Sequence, residues 1–366
     1  SATKLATQQS IKAYVDDEAL TAKAGRKNII INGNFDIWQR GTDASSTNGY
    51  LADRWEFLRA GGTGVSEHEQ DTDVPDSNSL YSLKLEVTTA SSADARYVQA
   101  QYYIERQDLQ RAWDKNDPDD VLTLSFWAKS SLTGTYVAAI RMFVSSVRDW
   151  VFPAQFSLAA DTWTKVEIQI PGDASMPGYS EGLTGQGAQL FIVPVYGTDF
   201  TSPTRANETW EMLDAASGNW MPDFSQNWYG TVGNTFRIAR AQLEKGSAAT
   251  DFEYRPIAEE LALCQRYYQV YEGDNIGIVN LAARSSSLAS GGMTITPMRT
   301  DPSVSVTGSL NLLGLGVESL SSLGANTSET GSVLLSWDDN GTPFTTGNSY
   351  PLTFFPGASI EFDADF

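Results

Sequence analysis

The sequence predicts a mainly β protein, a jelly-roll β-sandwich followed by a smaller C-terminal β-sandwich, and three observations carry that expectation. Short runs of alternating apolar and polar residues begin at Asn28, 30 Gly and 14 Pro punctuate them, and aromatic residues make up 11% of the chain. With 366 residues and 41% hydrophobic content, the chain has room for two or three domains, each with its own core.

Residues 1–25 differ in kind from the rest of the chain. The stretch from Thr7 to Leu20 lacks Gly and Pro and reads as a helix that Gly25 ends. Ile11, Val15, Ala19 and Ala22, with Leu5 ahead of them, make one narrow apolar stripe. A lone helix of this length is marginal in water, so the stripe needs a cover. Its own domain is one; a stalk of self-associating helices is the reading preferred here, because a strongly polar face surrounds the stripe.

Residues 26–256 form the jelly-roll domain. A short apolar strand, Asn28-Ile29-Ile30-Ile31-Asn32, is turned by Gly33-Asn34. Further strands are expected over 83–87, 97–104, 121–128, 135–144, 164–170, 189–195 and 235–243, with no helix between them and with the first and last strands as neighbours. Residues 257–366 begin with a helical run that places Ile257, Leu261, Cys264 and Tyr268 on one face. Strands over 276–283, 293–297, 304–306, 332–337 and 359–362 then make the small sandwich.

A net charge of −20 repels phosphate backbones and anionic lipid, so neither nucleic acid nor a bare membrane is an expected partner. No run approaches the ~18 apolar residues of a membrane span, and the first residues do not read as a signal peptide. Cys264, the only cysteine, has no disulfide partner and sits in an apolar run, as a small buried hydrophobe does. His68 is the only histidine, which removes serine and cysteine triads and multi-histidine metal sites. Its acidic neighbours suggest a solvated surface position. The run Gly61-Gly62-Thr63-Gly64 is followed by no phosphate-binding lysine and reads as a loop.

Several segments resemble phage tail-fibre proteins. The segment Ala6-Thr7-Gln8-Gln9-Ser10-Ile11-Lys12-Ala13-Tyr14-Val15-Asp16 is similar to one that recurs just ahead of a distal fibre domain. Asn28 to Thr42, with Ala52-Asp53-Arg54-Trp55, resembles the start of carbohydrate-binding-module-like jelly rolls in tail and tailspike proteins, and Ala241 to Pro256 resembles their closing strand. Leu263-Cys264-Gln265-Arg266-Tyr267-Tyr268, the segment from Pro297 to Pro302 and the closing Asp363-Ala364-Asp365-Phe366 resemble the small domain that ends such fibres. The resemblance implies a homotrimeric virion protein, joined to the upstream part of a tail fibre and assembled in the host cytoplasm. It implies adsorption to a host surface polysaccharide or lipopolysaccharide. No cofactor is required by it; a structural calcium ion is allowed, near Asp36 and Glu244, where a capped turn is the preferred alternative.

Sugar recognition needs exposed ring faces beside groups that hydrogen-bond hydroxyls. Aromatics inside strands, such as Phe126 and Trp127, read as core, and loop aromatics are the better candidates. The long segment 198–233 holds Trp210, Trp220, Trp228 and Tyr229 among Asp223, Asn227 and other polar residues, and either binding or internal packing accounts for them. Trp150 and Tyr179 are secondary candidates, whereas Trp38, Trp55 and Trp163 read as structural. No catalysis is expected. The alternatives are a polysaccharide depolymerase, which needs two carboxylates about 5–10 Å apart, and a purely structural fibre segment.

Overall fold

Asn28 shows how the chain begins its first described segment. Its side chain takes the role of a neighbouring strand: Oδ1 accepts from Ile30 N and Leu243 N, and Nδ2 donates to Ala241 O at 3.1 Å. Residues 28–32 are therefore buried yet irregular, which corrects the expected strand there. Asn32 and Phe35 both have φ of 57°, outside strand geometry. The segment still lies beside the closing strand, through Ile29 N to Leu243 O and Ala241 N to Gly33 O, each 2.8 Å. At Gly33 a Cβ would stand 2.0 Å from the Ala241 carbonyl oxygen. Gly33→Ala is expected to cost about 1–3 kcal/mol or more, read as a lower denaturation midpoint with an unchanged m-value.

The computed structural model describes residues 27–92, 96–144, 149–213, 220–272, 277–312, 316–317, 323–329, 332–338, 344–354 and 357–366. The predicted helical stalk, with Leu5, Ile11, Val15, Ala19 and Ala22, lies outside them. The chain divides between Pro256 and Ile257 into two compact units. Both are mainly β.

The large unit is an antiparallel sandwich. One sheet has seven strands in the order β1 (Gly49–Tyr50), β2 (Trp55–Ala60), β5 (Tyr97–Glu105), β10 (Gln186–Tyr196), β7 (Gly134–Met142), β8 (Trp150–Leu158), β11 (Glu211–Met212). The other has five, β3 (Val65–Asp71), β4 (Ser82–Thr89), β12 (Thr235–Lys245), β6 (Val121–Ser130), β9 (Thr164–Pro171). Period-two alternation sends Val98, Ala100, Tyr102 and Ile104 of β5 inward, against Leu122, Leu124, Phe126 and Ala128 of β6 and Leu83, Leu85 and Val87 of β4.

Three elements depart from expectation. The short helix α1 (Arg106–Ala112) follows β5 and buries Leu109 and Ala112. Strand β8 contains Pro153, which argues against a central strand. It is tolerated because β7 bonds one edge, while on the other β11 pairs only with Trp150 and Val151. Strand β3 is polar in sequence, yet as an edge strand it turns Ser66 and His68 inward. His68 is thus no surface residue: it is 2% exposed, and its ring stacks on Phe57 at 4.4 Å and 14°.

The small unit opens with α2 (Ile257–Gln265), which does not bury the expected stripe. Ile257 is 60% exposed, Glu260 and Cys264 are buried, and a turn from Tyr267 N to Cys264 O ends the helix before Tyr268. A three-stranded sheet comes next, β13 (Tyr268–Glu272), β22 (Ser359–Asp363), β16 (Ser303–Thr307). A seven-stranded sheet runs β18 (Gly316–Val317), β17 (Leu310–Leu312), β21 (Ser349–Phe354), β14 (Gly277–Ala283), β15 (Leu288–Thr294), β20 (Ser332–Asp338), β19 (Leu323–Glu329). Leu281, Leu310, Leu335, Leu352, Ile360 and Phe362 are fully buried in its core.

Candidate functional site

The outer face of the large unit's seven-stranded sheet is unusual for a surface. On β7, β8 and β10, the residues pointing away from the sandwich core are Val137, Ala139, Val151, Phe191 and Val193, all buried. They are covered by the described parts of an excursion, 198–213 and 220–233, which lay Leu213 and Met221 on them, with Phe200, Trp220 and Phe224 partly buried alongside. The excursion is held by Trp210 Nε1 to Pro171 O at 2.7 Å and Arg205 Nη2 to Val151 O at 3.1 Å. This second core covers the sheet face on β7, β8 and the Phe191–Val193 part of β10.

At the edge of this core lies a groove of about 240 Å³. Its floor is made of outward-facing strand residues, Gln99 and Gln101 of β5 and Gln189 of β10, with Leu58, Phe191 and Arg141 beside them. Tyr97, Tyr103, Tyr196, Phe200 and Trp220 supply the rings around it. The amides are locked in one network. Gln99 donates to Gln101 Oε1, Gln189 Nε2 donates to the same oxygen at 2.9 Å, Gln101 donates to Glu56, and the Tyr196 hydroxyl donates to Gln99. Arg141 donates to Asp149 through Nε at 2.9 Å and to Gln189 Oε1 at 3.4 Å, and its guanidinium lies 5.6 Å from the Trp220 ring centre.

Tyr97 packs on Tyr196 at 5.4 Å and on Phe200 at 5.3 Å, which fixes the rings at one end; Tyr103 stands at the other, 6.4 Å from Phe143. Burial pushes the Tyr97 and Tyr103 hydroxyls above the usual tyrosine range, and Tyr196 further. All three remain neutral donors and acceptors at physiological pH. A fixed array of amides between ring faces can hydrogen-bond hydroxyls while apolar C–H faces stack.

The sequence candidates scatter. Trp220 is in the groove. Trp228 and Tyr229 are fully buried and stacked on each other, and Trp210 is buried against Trp113 and Phe152, so the choice between binding and packing falls on packing for these three. Asp223 and Asn227 are exposed and line a neighbouring hollow of about 240 Å³, where Asn227 accepts from Arg96 at 2.9 Å. Trp150 is half-buried at the start of β8. Tyr179 carries Arg106 and Lys115 over its ring at 4.9 and 5.3 Å, and burial raises its hydroxyl to about 12. Tyr97, Gln99, Gln101, Tyr103, Arg141 and Gln189 were not among the candidates. Trp38, Trp55 and Trp163 donate within the fold, to Phe35 O, Asn32 O and Asp73 Oδ1.

Asp36 and Glu244, the pair considered for calcium, both carry hydrogen bonds within the fold. Glu244, 1% exposed, accepts from Gln242 Nε2, Thr250 N and Thr250 Oγ1 at 2.8, 2.8 and 2.6 Å, while Asp36 accepts from Asn34. Among the described residues no group of three or more His, Cys, Asp or Glu is placed to hold a metal, and no helix is long and apolar enough to cross a membrane.

No family model and no curated protein matches the sequence. Solved structures similar to the chain include the enzymatically active domain of tailspike protein 4 of bacteriophage CBA120, at 14% identity and a TM-score of 0.33 over 60% of this chain and 21% of that one. The chain thus aligns with about a fifth of that tailspike domain. The family 11 carbohydrate-binding module of a Clostridium thermocellum cellulase is 13% identical with a TM-score of 0.29, over 58% of this chain and 99% of the module. A protein described as a sugar-binding protein of Bacteroides thetaiotaomicron is 15% identical with a TM-score of 0.32, over 60% of this chain and 100% of that one.

Proposed function

We propose that the large unit holds a carbohydrate chain in the groove on its seven-stranded sheet, and that the protein is a non-catalytic, homotrimeric tail-fibre adhesin fixing a phage to a host surface glycan. The observation that supports sugar binding is the floor of interlocked Gln99, Gln101 and Gln189 amides between the rings of Tyr97, Tyr103 and Trp220. The fibre and virion part of the reading rests on the sequence resemblance. Glu56 and Asp149, the carboxylates bonded to groove residues, are committed to Gln101 and Arg141, whereas glycoside hydrolysis needs a pair of carboxylates facing the bond it cleaves. This favours binding over cleavage.

Tyr103 and Trp220 are only partly buried, so the double variant Tyr103→Ala/Trp220→Ala should still fold, with a cooperative unfolding transition at a modestly lower melting temperature. Its affinity for the best glycan on an array of bacterial surface polysaccharides should fall at least tenfold, about 1.4 kcal/mol. Undiminished binding by this variant, or release of reducing ends by the intact chain, would overturn the reading.

A further inference from the structure

The five-stranded sheet of the same unit carries a second hollow on its own outer face, larger than the groove, at about 470 Å³. Outward-facing Ser125 and Trp127 of β6 form its floor, and Phe252 and Tyr254 form a wall, packed edge to face at 4.9 Å. Tyr254 is 49% exposed, and Leu80, 67% exposed, follows Ser79, which bonds Arg240 of the rim at 2.7 Å. Ser125 is 4% exposed and opens into the hollow.

From these features we infer that this hollow is a second saccharide site, taking one or two sugar rings with a C–H face on Trp127 and a ring hydroxyl on Ser125. The charges around it point to a neutral sugar. Lys165 is paired with Glu167 at 2.7 Å and Arg240 with Asp76, while Asp251 on the rim adds negative charge. An anionic ligand would meet no uncommitted cation there. Together with the groove, this hollow makes one unit bivalent, with sites on opposite sheets, so that two sugars of a dense surface are gripped together at higher avidity.

The test is an array of neutral and uronic-acid oligosaccharides probed with the full chain, with Tyr254→Ala and Trp127→Ala for the hollow and Tyr103→Ala/Trp220→Ala for the groove. Tyr254 is exposed enough that its variant folds whatever Trp127 does. The expected result is a neutral sugar whose binding survives in the groove variant and drops at least fivefold in both hollow variants. Binding abolished by the groove variant and untouched by both hollow variants would overturn this inference and leave the groove reading standing. Loss in the hollow variants for every sugar that binds, with none weakened by the groove variant, would uphold it and overturn the groove. Failure of every sugar to bind would overturn both.

Discussion

Replacing Trp228 by alanine should lower the unfolding free energy of the large unit by about 3–5 kcal/mol. The ring is fully buried and stacked on Tyr229 at 6.2 Å, where the backbone ties the end of the excursion to the sandwich: Asn234 donates to the Trp228 backbone carbonyl at 2.8 Å, and Ser91 N donates to Tyr229 O at 3.0 Å. Deleting it leaves a cavity that the surrounding strands cannot close. Trp228→Phe should cost much less, because the indole N–H has no acceptor among the described residues and nothing is left unpaired by its loss. Chemical denaturation of the two variants separates these outcomes. Equal effects would mean that the excursion is not held by this ring.

The second large effect is on pH dependence. Burial holds the His68 imidazole at about 4, below its ordinary 6.5, against a weaker opposing hydrogen bond that the ring donates to the Thr47 backbone. The fold thus favours the neutral ring. This contribution is complete above pH 6.5, where the unfolded chain is also neutral, and it is lost as the pH falls toward 4, because only the unfolded state takes up the proton. The decrement should approach about 3 kcal/mol. As the only histidine, His68 is the one side chain whose ordinary pKa lies between pH 5 and 6.5. Unfolding free energies measured across that interval should decline in the native chain. They should stay flat in His68→Phe, which keeps a ring on Phe57.

Much of the architecture was legible in the residues because period-two alternation survives wherever one face of a strand is dry. The strands at Leu83, Tyr97, Val121, Thr164 and Thr235 obey it. It failed where local chemistry and tertiary placement disagree. Strand β3 reads as a polar, solvated stretch until β4 and Phe57 bury His68, and residues 28–32 read as a strand although the Asn28 side chain has replaced the ladder. The site was harder for a related reason. For the loop aromatics the sequence leaves binding and packing equally open; the excursion uses Trp210, Trp228 and Tyr229 to pack itself down, and of the four only Trp220 reaches the groove. The groove's signal was present in β5. There Tyr97, Gln99, Gln101 and Tyr103 alternate with Val98, Ala100 and Tyr102, so one face of a central strand carries amides and phenols where a sheet covered by a second core would carry aliphatics.

The central claim is that the seven-stranded sheet of the large unit is a sugar-binding face. It is tested most directly by NMR chemical-shift mapping of side-chain amides and aromatic rings as the best array glycan is titrated to saturation. The expected result is that the Gln99, Gln101 and Gln189 amides and the Tyr103 and Trp220 rings move together along one binding isotherm. Saturable binding that leaves all five unmoved would contradict it.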